Sequence, residues 1–427
     1  MKALMFGWEF PPHISGGLGT ASYGLTKGLA KSGVEILFVM PKASGDEDSS
    51  IGRIINASDV ASKTDVFLED YWTNVNFLSV SSSLIPYLGF EDYEQLREES
   101  LQNRTVMSHL GEKYTFSGKY GTNLMEEVVR YAMVAATIAR ENEFDIIHAH
   151  DWLTYLAGIV AKKISGKPLV IHVHATEFDR SGESVNQTVY ALEKLGMDEA
   201  DAVMAVSNLT RNIVIARYNI SESKVFTVHN AVDFSGTKET KINRTIDEKI
   251  VTFLGRITFQ KGPEYFIEAA SKVAKRFPDV RFVMAGSGDM MNRMIKRVAK
   301  LNMGGKFHFT GFLKGDDVNK MYSYSDVYVM PSVSEPFGIS PLEAMRSGVP
   351  VIISKQSGVS EVLRHALKVN FWDVDALADA IYALLSYKGL NRMITRCGLK
   401  EVNSFSWDDT AMLVKKIYSK TLEHYGA

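Results

Sequence analysis

Short apolar runs recur along the chain, each closed by a glycine-rich or polar turn and followed by residues with helical spacing. Lys2–Gly7, Val34–Met40, Asp145–His148 and Pro168–His172 have this form in the first half. Ile250–Gly255, Arg281–Gly286, Phe307–Thr310, Asp326–Met330 and Val349–Ser354 repeat it in the second. Continuous rather than alternating apolar runs mark strands covered on both faces, and their alternation with helices marks parallel pairing. The pattern predicts an α/β chain of two Rossmann-like, doubly wound parallel-sheet domains.

The weakest stretch is Ser235–Glu248, polar and charged with almost no apolar content. It divides the chain into a first domain over 1–235, a linker over 236–248 and a second domain over 249–406. Residues 44–120 run through polar loops and the helical-looking Asp92–Leu101, and Asn123–Glu141 beyond them also reads as a helix; together they elaborate the first domain. At the far end, Ser406-Trp407-Asp408-Asp409 has the form of a helix start, a capping residue ahead of an acidic first turn. The helix within 407–427 is expected to dock back on the first domain. At 427 residues the chain exceeds what one core usually organises, in keeping with two domains.

Charge narrows the function classes. Lys and Arg total 48 against 50 Asp and Glu, a net of −2, which removes the electrostatic basis for wholesale nucleic-acid binding. The one cysteine, Cys397, excludes an internal disulfide and a cysteine-based zinc site. The opening run Met1–Phe6 is too short for a signal-peptide core, and no apolar stretch is long enough to span a bilayer. A cytoplasmic protein is expected. Trp152–Lys167, apolar with Lys162 and Lys163, reads as a packed helix before a membrane-associated one.

Three loops carry chemistry. His13-Ile14-Ser15-Gly16-Gly17-Leu18-Gly19-Thr20 follows the first strand; its glycines let the backbone approach a ligand, Thr20 can cap the next helix, and the helix-start amides attract phosphate. A plain βα turn accounts for the same residues. Gly255–Gly262 follows a second-domain strand and carries Arg256 and Lys261, two cations where open α/β sheets bind ligands; two solvated basic residues are the plainer reading. Ser334–Met345 is the sharpest segment. Glu335 lies in a loop over Pro331–Gly338, Ile339–Arg346 reads as a helix ended by Gly348, and Glu343 sits about one turn inside it. Both carboxylates suit sugar or ribose hydroxyls, and the first helical amides suit phosphate. The helix dipole explains each acid singly but not the Pro-Phe-Gly between them.

His148-Ala149-His150-Asp151-Trp152 and His172-Val173-His174-Ala175-Thr176-Glu177 each hold two histidines two residues apart, so both rings of a pair face one side of a strand. A metal-dependent hydrolase with Asp151, Glu177 or Asp179 as further ligands is one reading. It leaves the second domain's chemistry unused. The plainer reading makes one histidine of each pair a buried, hydrogen-bonded ring.

Together these segments resemble the family-four retaining glycosyltransferases, in the branch that looks like glycogen synthases. The likeness runs from the Gly16-Gly17 loop through His148–Trp152, His172–Glu177, Val206-Ser207, Val228–Asp233, Gly255–Gly262 and Gly286-Ser287-Gly288 to Glu335–Glu343. It implies the two-domain GT-B fold and transfer of a hexosyl unit, glucosyl by preference, from a nucleoside diphosphate sugar to a carbohydrate acceptor with retention. UDP- or ADP-glucose is the implied sugar source and a glycogen-like α-glucan the implied acceptor, with no metal and no other cofactor. Carried over, Arg256 and Lys261 bind the diphosphate, Glu335 contacts the transferred sugar and Glu343 holds the ribose. His174 contacts the sugar with His150 beside it, Gly16 and Gly17 approach the diphosphate, and Ser287, Gly288, Phe337, Gly338 and Ile339 line the nucleotide site. The lysine that bacterial glycogen synthases place ahead of the Gly-Gly pair is Ile14 or His13 here, so its contact is lost. Exopolysaccharide or glycolipid synthesis is the alternative within the same fold, with residues 44–120 selecting the acceptor.

Overall fold

The computed structural model describes residues 1–13, 17–62, 113–118, 120–121, 123–232 and 247–425. They form two compact units, Met1–Ala231 with Trp407–Ala427, and Val232–Ser406. The helical-looking Asp92–Leu101, Gly16 and most of the polar stretch before Glu248 lie outside the described residues.

Unit 1 holds seven parallel strands: β1 (Lys2–Phe6), β2 (Glu35–Met40), β3 (Arg53–Asn56), β4 (Ile146–His150), β5 (Leu169–Val173), β6 (Ala202–Ala205) and β7 (Val225–Thr227). Their order is β3-β2-β1-β4-β5-β6-β7. Its helices are α1 (Gly17–Lys31), α2 (Leu124–Glu141), α3 (Trp152–Ser165), α4 (Glu177–Ser181), α5 (Gln187–Glu199) and α6 (Asn208–Tyr218). Unit 2 holds six parallel strands: β8 (Lys249–Leu254), β9 (Val280–Ala285), β10 (Phe307–Gly311), β11 (Val327–Met330), β12 (Val351–Ser354) and β13 (Leu367–Val369). Their order is β10-β9-β8-β11-β12-β13. Its helices are α7 (Pro263–Arg276), α8 (Met291–Lys300), α9 (Asp316–Tyr324), α10 (Ser340–Arg346), α11 (Val359–Val362), α12 (Val374–Ser386) and α13 (Lys388–Val402). The last helix, α14 (Trp407–Tyr425), belongs to unit 1. Both units are Rossmann-like, as the apolar pattern predicts.

The strand order reverses between β1 and β4 in unit 1 and between β8 and β11 in unit 2. Loops leaving the carboxyl ends of those four strands flank the crevice where such sheets bind ligands. All the loops singled out in the sequence for chemistry leave these four strands or their neighbours β5 and β9. The central strands are buried on both faces, β4 and β5 having no exposed position, whereas the edge strands β3, β7, β10 and β13 are only partly buried.

α1 begins at Gly17, so Thr20 stands inside its first turn and is not its cap. The buried Glu9 carboxylate accepts the Gly19 N–H instead, at 3.2 Å, and supplies a negative group at the helix start from within the chain. α14 runs along α1, where Gly24 and Gly28 form one face. A methyl group on Gly24 would fall 2.3 Å from the Trp407 indole, and one on Gly28 2.6 Å from the Trp407 carbonyl oxygen. In α3, every residue from Trp152 to Ala161 is buried, so this apolar stretch is a packed helix. Among the described residues no helix is long and apolar enough to cross a membrane.

Candidate active site

In unit 2 the loops after β8 and β11 are tied together. The Val333 N–H donates to the Gln260 carbonyl at 2.9 Å. Gly262, at φ 64°, lies so close to Pro331 that an added Cβ would sit 2.1 Å from its carbonyl oxygen. Across this seam Lys261 Nζ donates to Glu335 Oε2 at 2.5 Å, with Lys261 half-buried and Glu335 buried. The fully buried Ser332 hydroxyl donates to the same oxygen at 3.2 Å. Lys261 is therefore held in place rather than solvated. Arg256 Nη2 donates to the buried Gln260 Oε1 at 3.3 Å, and its charge acts on Asp289, whose carboxyl burial pushes up.

The loop after β9 fits against the loop after β8. The Ile257 N–H donates to the Ser287 carbonyl at 2.8 Å, and the Met290 N–H to the Ile257 carbonyl at 3.0 Å. An added Cβ on Gly286 would meet the Gly255 oxygen at 1.8 Å, and one on Gly288 the Ile257 oxygen at 2.3 Å. Backbone proximity requires both glycines, and Gly286 also stands at φ 142°. Gly338, at φ 101°, turns the chain into α10, and the buried Phe337 ring anchors the turn. The Leu342 and Glu343 N–H groups return to the Ile339 carbonyl, and Pro341 has none. Of the amides entering α10, those of Gly338, Ile339 and Ser340 remain as candidates for phosphate.

Glu343 is half-buried, not an exposed helical acid. Burial holds its carboxyl above the usual range, and the Tyr322 hydroxyl donates to it at 3.3 Å. Tyr328 supports the same helix start, its hydroxyl donating to the Leu254 carbonyl at 3.2 Å and sharing a hydrogen bond of 2.8 Å with the Ser340 hydroxyl. Ser332, Tyr322, Tyr328 and Asp289 escaped the sequence reading. Each is a common residue type with no motif of its own, made significant only by its neighbours in the fold.

In unit 1 the four histidines form one stack on β4 and β5. His148 and His150 rings lie 4.1 Å apart, His172 and His174 rings 4.5 Å apart, and His150 and His172 are register partners at 5.6 Å. Interplanar angles within these contacts are 25–27°. His148 Nδ1 shares a hydrogen bond of 2.5 Å with the Tyr418 hydroxyl of α14. His150 Nδ1 shares one of 3.0 Å with His174 Nε2. The buried-ring reading thus holds for His148. His172 is equally buried, but both its nitrogens lack a partner, as do His148 Nε2 and His150 Nε2.

Burial, first of all, holds all four rings neutral, with His174 pushed down to about 3. Nitrogens of His148, His150 and His172 lie within 4.8 Å of one another. A shared metal ion needs in-plane lone pairs converging on one point. Nearly parallel rings stacked 4.1–5.6 Å apart direct theirs side by side. The rings form a stack of neutral imidazoles in which His148 is bonded to Tyr418 and His150 to His174.

His150 is fully buried behind His174, which is half-exposed at the end of β5. Of the two, His174 is the one placed to meet a ligand. Asp151 follows at φ 62°, ψ 167°, a backbone conformation that strains a residue with a side chain. Burial pushes its carboxyl up to about 6, opposed by the Arg180 guanidinium and by the backbone N–H groups of Ala175, His174 and Trp152. Arg180 also joins Glu177 at 3.2 Å and the buried Glu193, fixing α4. Asp151 and Glu177, weighed above as metal ligands, are engaged in this network. Asp179 closes a capping box with Thr176. Gly17 is exposed at the start of α1.

The chain is similar to known glycosyltransferases along its whole length. The family described as starch synthase catalytic domain matches residues 2–228, and the family described as glycosyl transferases group 1 matches residues 236–400. The uncharacterized glycosyltransferase MJ1607 of Methanocaldococcus jannaschii is 30% identical, with all of both chains covered. Glycogen synthase of Mycobacterium tuberculosis is 22% identical over 98% of this chain and 94% of its own. Among solved structures, sucrose-phosphate synthase from Thermosynechococcus elongatus superposes with a TM-score of 0.73 at 19% identity, covering 99% of each chain.

Proposed function

We infer the reaction from the premise that this chain belongs to the glycosyltransferases, in the family described as starch synthase catalytic domain. It moves a hexosyl unit, glucosyl by preference, from a nucleoside diphosphate sugar to a carbohydrate hydroxyl with retention of configuration. The observation that carries the reading is the joining of Lys261 to Glu335 across the loops of β8 and β11, at the reversal of strand order in unit 2. There a cation and a carboxylate, with Arg256 on the same loop as Lys261, stand where such a sheet takes its ligand.

In this reading the acceptor oxygen attacks the anomeric carbon from the face the diphosphate leaves. The bond from that carbon to the phosphate oxygen breaks, and the acceptor's proton passes to the departing phosphate. Arg256 and Lys261 neutralise the charge left there. Lys261 gives one of its three N–H donors to Glu335 and keeps two for phosphate. Glu335, with Oε2 occupied, offers Oε1 to a sugar hydroxyl. Glu343 takes the ribose hydroxyls, and the amides of Gly338, Ile339 and Ser340 the phosphate. His174 contacts the sugar, and Gly16 and Gly17 the diphosphate. No step calls on a metal. The glycogen synthase relative supports an α-glucan acceptor, and Cys397 as the one cysteine suits a cytoplasmic enzyme.

The test is a screen of UDP-, ADP- and GDP-glucose with and without glycogen, following nucleotide release and product anomer. Acceptor-dependent release with an α-linked product supports the reading. An inverted product, or no release with any sugar nucleotide, overturns it.

A further inference from the structure

We propose that His150 is a positioning residue for His174: its Nδ1–H, donated to His174 Nε2, holds the His174 ring in the tautomer that carries its proton on Nδ1 and offers that N–H to a sugar hydroxyl oxygen. The proposal rests on the assignment of His174 to the sugar made above.

The bond of 3.0 Å between the two rings holds one proton, which has two possible homes. If His174 Nε2 were the donor, neutral His150 would carry its own proton on Nε2. That nitrogen is buried and has no partner. An unpaired buried N–H is more costly than an unpaired lone pair, and the stack already carries one on His172, both of whose nitrogens lack a partner. With the proton on His150 Nδ1 instead, Nε2 presents only a lone pair, and His174 must hold its proton on Nδ1.

The His150 ring has no room to turn. It is fully buried, with His148 stacked at 4.1 Å and His172 at 5.6 Å. His148 is in turn tied to Tyr418 of α14. The main chain of His174 is held independently. The Asp151 N–H donates to the His172 carbonyl at 2.9 Å, and backbone N–H groups of His174 and Ala175 face the Asp151 carboxyl. The strained Asp151 backbone is thus the joint between β4, which carries His150, and the loop that carries His174. A sequence reading sees two histidine pairs of equal standing; the structure gives the inner ring of one the task of orienting the outer ring of the other.

Two measurements test this. Long-range ¹⁵N–¹H NMR of histidine-labelled protein, assigned with His150→Asn and His174→Asn, reads which ring nitrogen is protonated, with or without turnover. The expected result is a proton on Nδ1 of both His150 and His174; a proton on His174 Nε2 overturns the proposal. Kinetics with whichever of UDP-, ADP- and GDP-glucose is turned over supply the second. His150→Leu should raise KM for the sugar nucleotide about ten-fold, with inhibition by the free nucleoside diphosphate unchanged. His150→Asn, whose amide stands near the former Nδ1, should recover most of that loss. An unchanged KM in a folded His150→Leu enzyme overturns the proposal. If none of UDP-, ADP- and GDP-glucose is turned over by the parent, the assigned reaction fails, while the NMR result still decides the tautomer.

Discussion

Lys261 Nζ and Glu335 Oε2 meet at 2.5 Å, joining two loops that leave neighbouring strands of one sheet. The pair holds a cation ready where phosphate charge is expected, and it shares one oxygen with the buried Ser332 hydroxyl. Because the two side chains act together, their removal should not be additive. Lys261→Ala is expected to lower kcat by roughly 10²–10³. Glu335→Ala should fall comparably, and the double variant little further. A steady-state double-mutant cycle measures this; full additivity of the two losses would contradict a shared role.

Glu343 receives the Tyr322 hydroxyl and sits half-buried at the start of α10. If it holds the ribose, Glu343→Ala should weaken binding of the nucleoside diphosphate about ten-fold. The parent enzyme should also discriminate against the 2′- or 3′-deoxy nucleotide, and the variant should not. Calorimetric titration of both nucleotides into both proteins gives the answer.

Acid should destabilise unit 1. His148, His150, His172 and His174 all have folded pKa values below that of the unfolded chain, so the unfolded state binds more protons below about pH 6.5. Their contribution is complete above that pH and is lost as pH falls, by up to ~1.4 kcal/mol per pH unit for each ring. Asp151 and Glu193, raised to about 6 and about 8, act with the opposite sign. Four rings outnumber two carboxyls, so the net effect is loss of stability on acidification. Glu193 offsets the rings above about pH 6.5, so urea midpoints should stay nearly level from pH 7.5 to 6.5 and fall from 6.5 to 5.5, and His172→Leu should flatten that fall.

The contact of α1 with α14 leaves no room on Gly24 or Gly28. Gly28→Val would drive its side chain into the Trp407 backbone and the Ala411 methyl, and should cost about 1–3 kcal/mol. Gly304→Ala, which meets nothing within 4 Å, should stay within about 0.5 kcal/mol of the parent. Denaturant unfolding of the two variants compares them directly.

The two sheets were legible because strands buried on both faces leave uninterrupted apolar runs. β3, β7 and β13 were not, since each is short and only partly buried, which leaves no continuous apolar run, and the four residues of β6 were missed as well. In the site, glycines and charges declared themselves through spacing. Thr20 misled because a hydroxyl near a helix start resembles a cap, whereas Glu9, ten positions before Gly19, reaches the amide through the fold. The pairing of His150 with His174 was hidden for a related reason: residues 24 apart become neighbours only through the register of β4 and β5.

Because α14 completes unit 1 from the far side of unit 2 in the chain, the order of synthesis matters. Val232–Ser406 is continuous and leaves the ribosome whole, before the segment that seats Trp407 over Gly24 and brings Tyr418 to His148. Until then the earlier unit carries an open apolar seam along α1 and a histidine without its hydroxyl partner. The first unit therefore gains this helix only after the whole of the second unit's chain has been made.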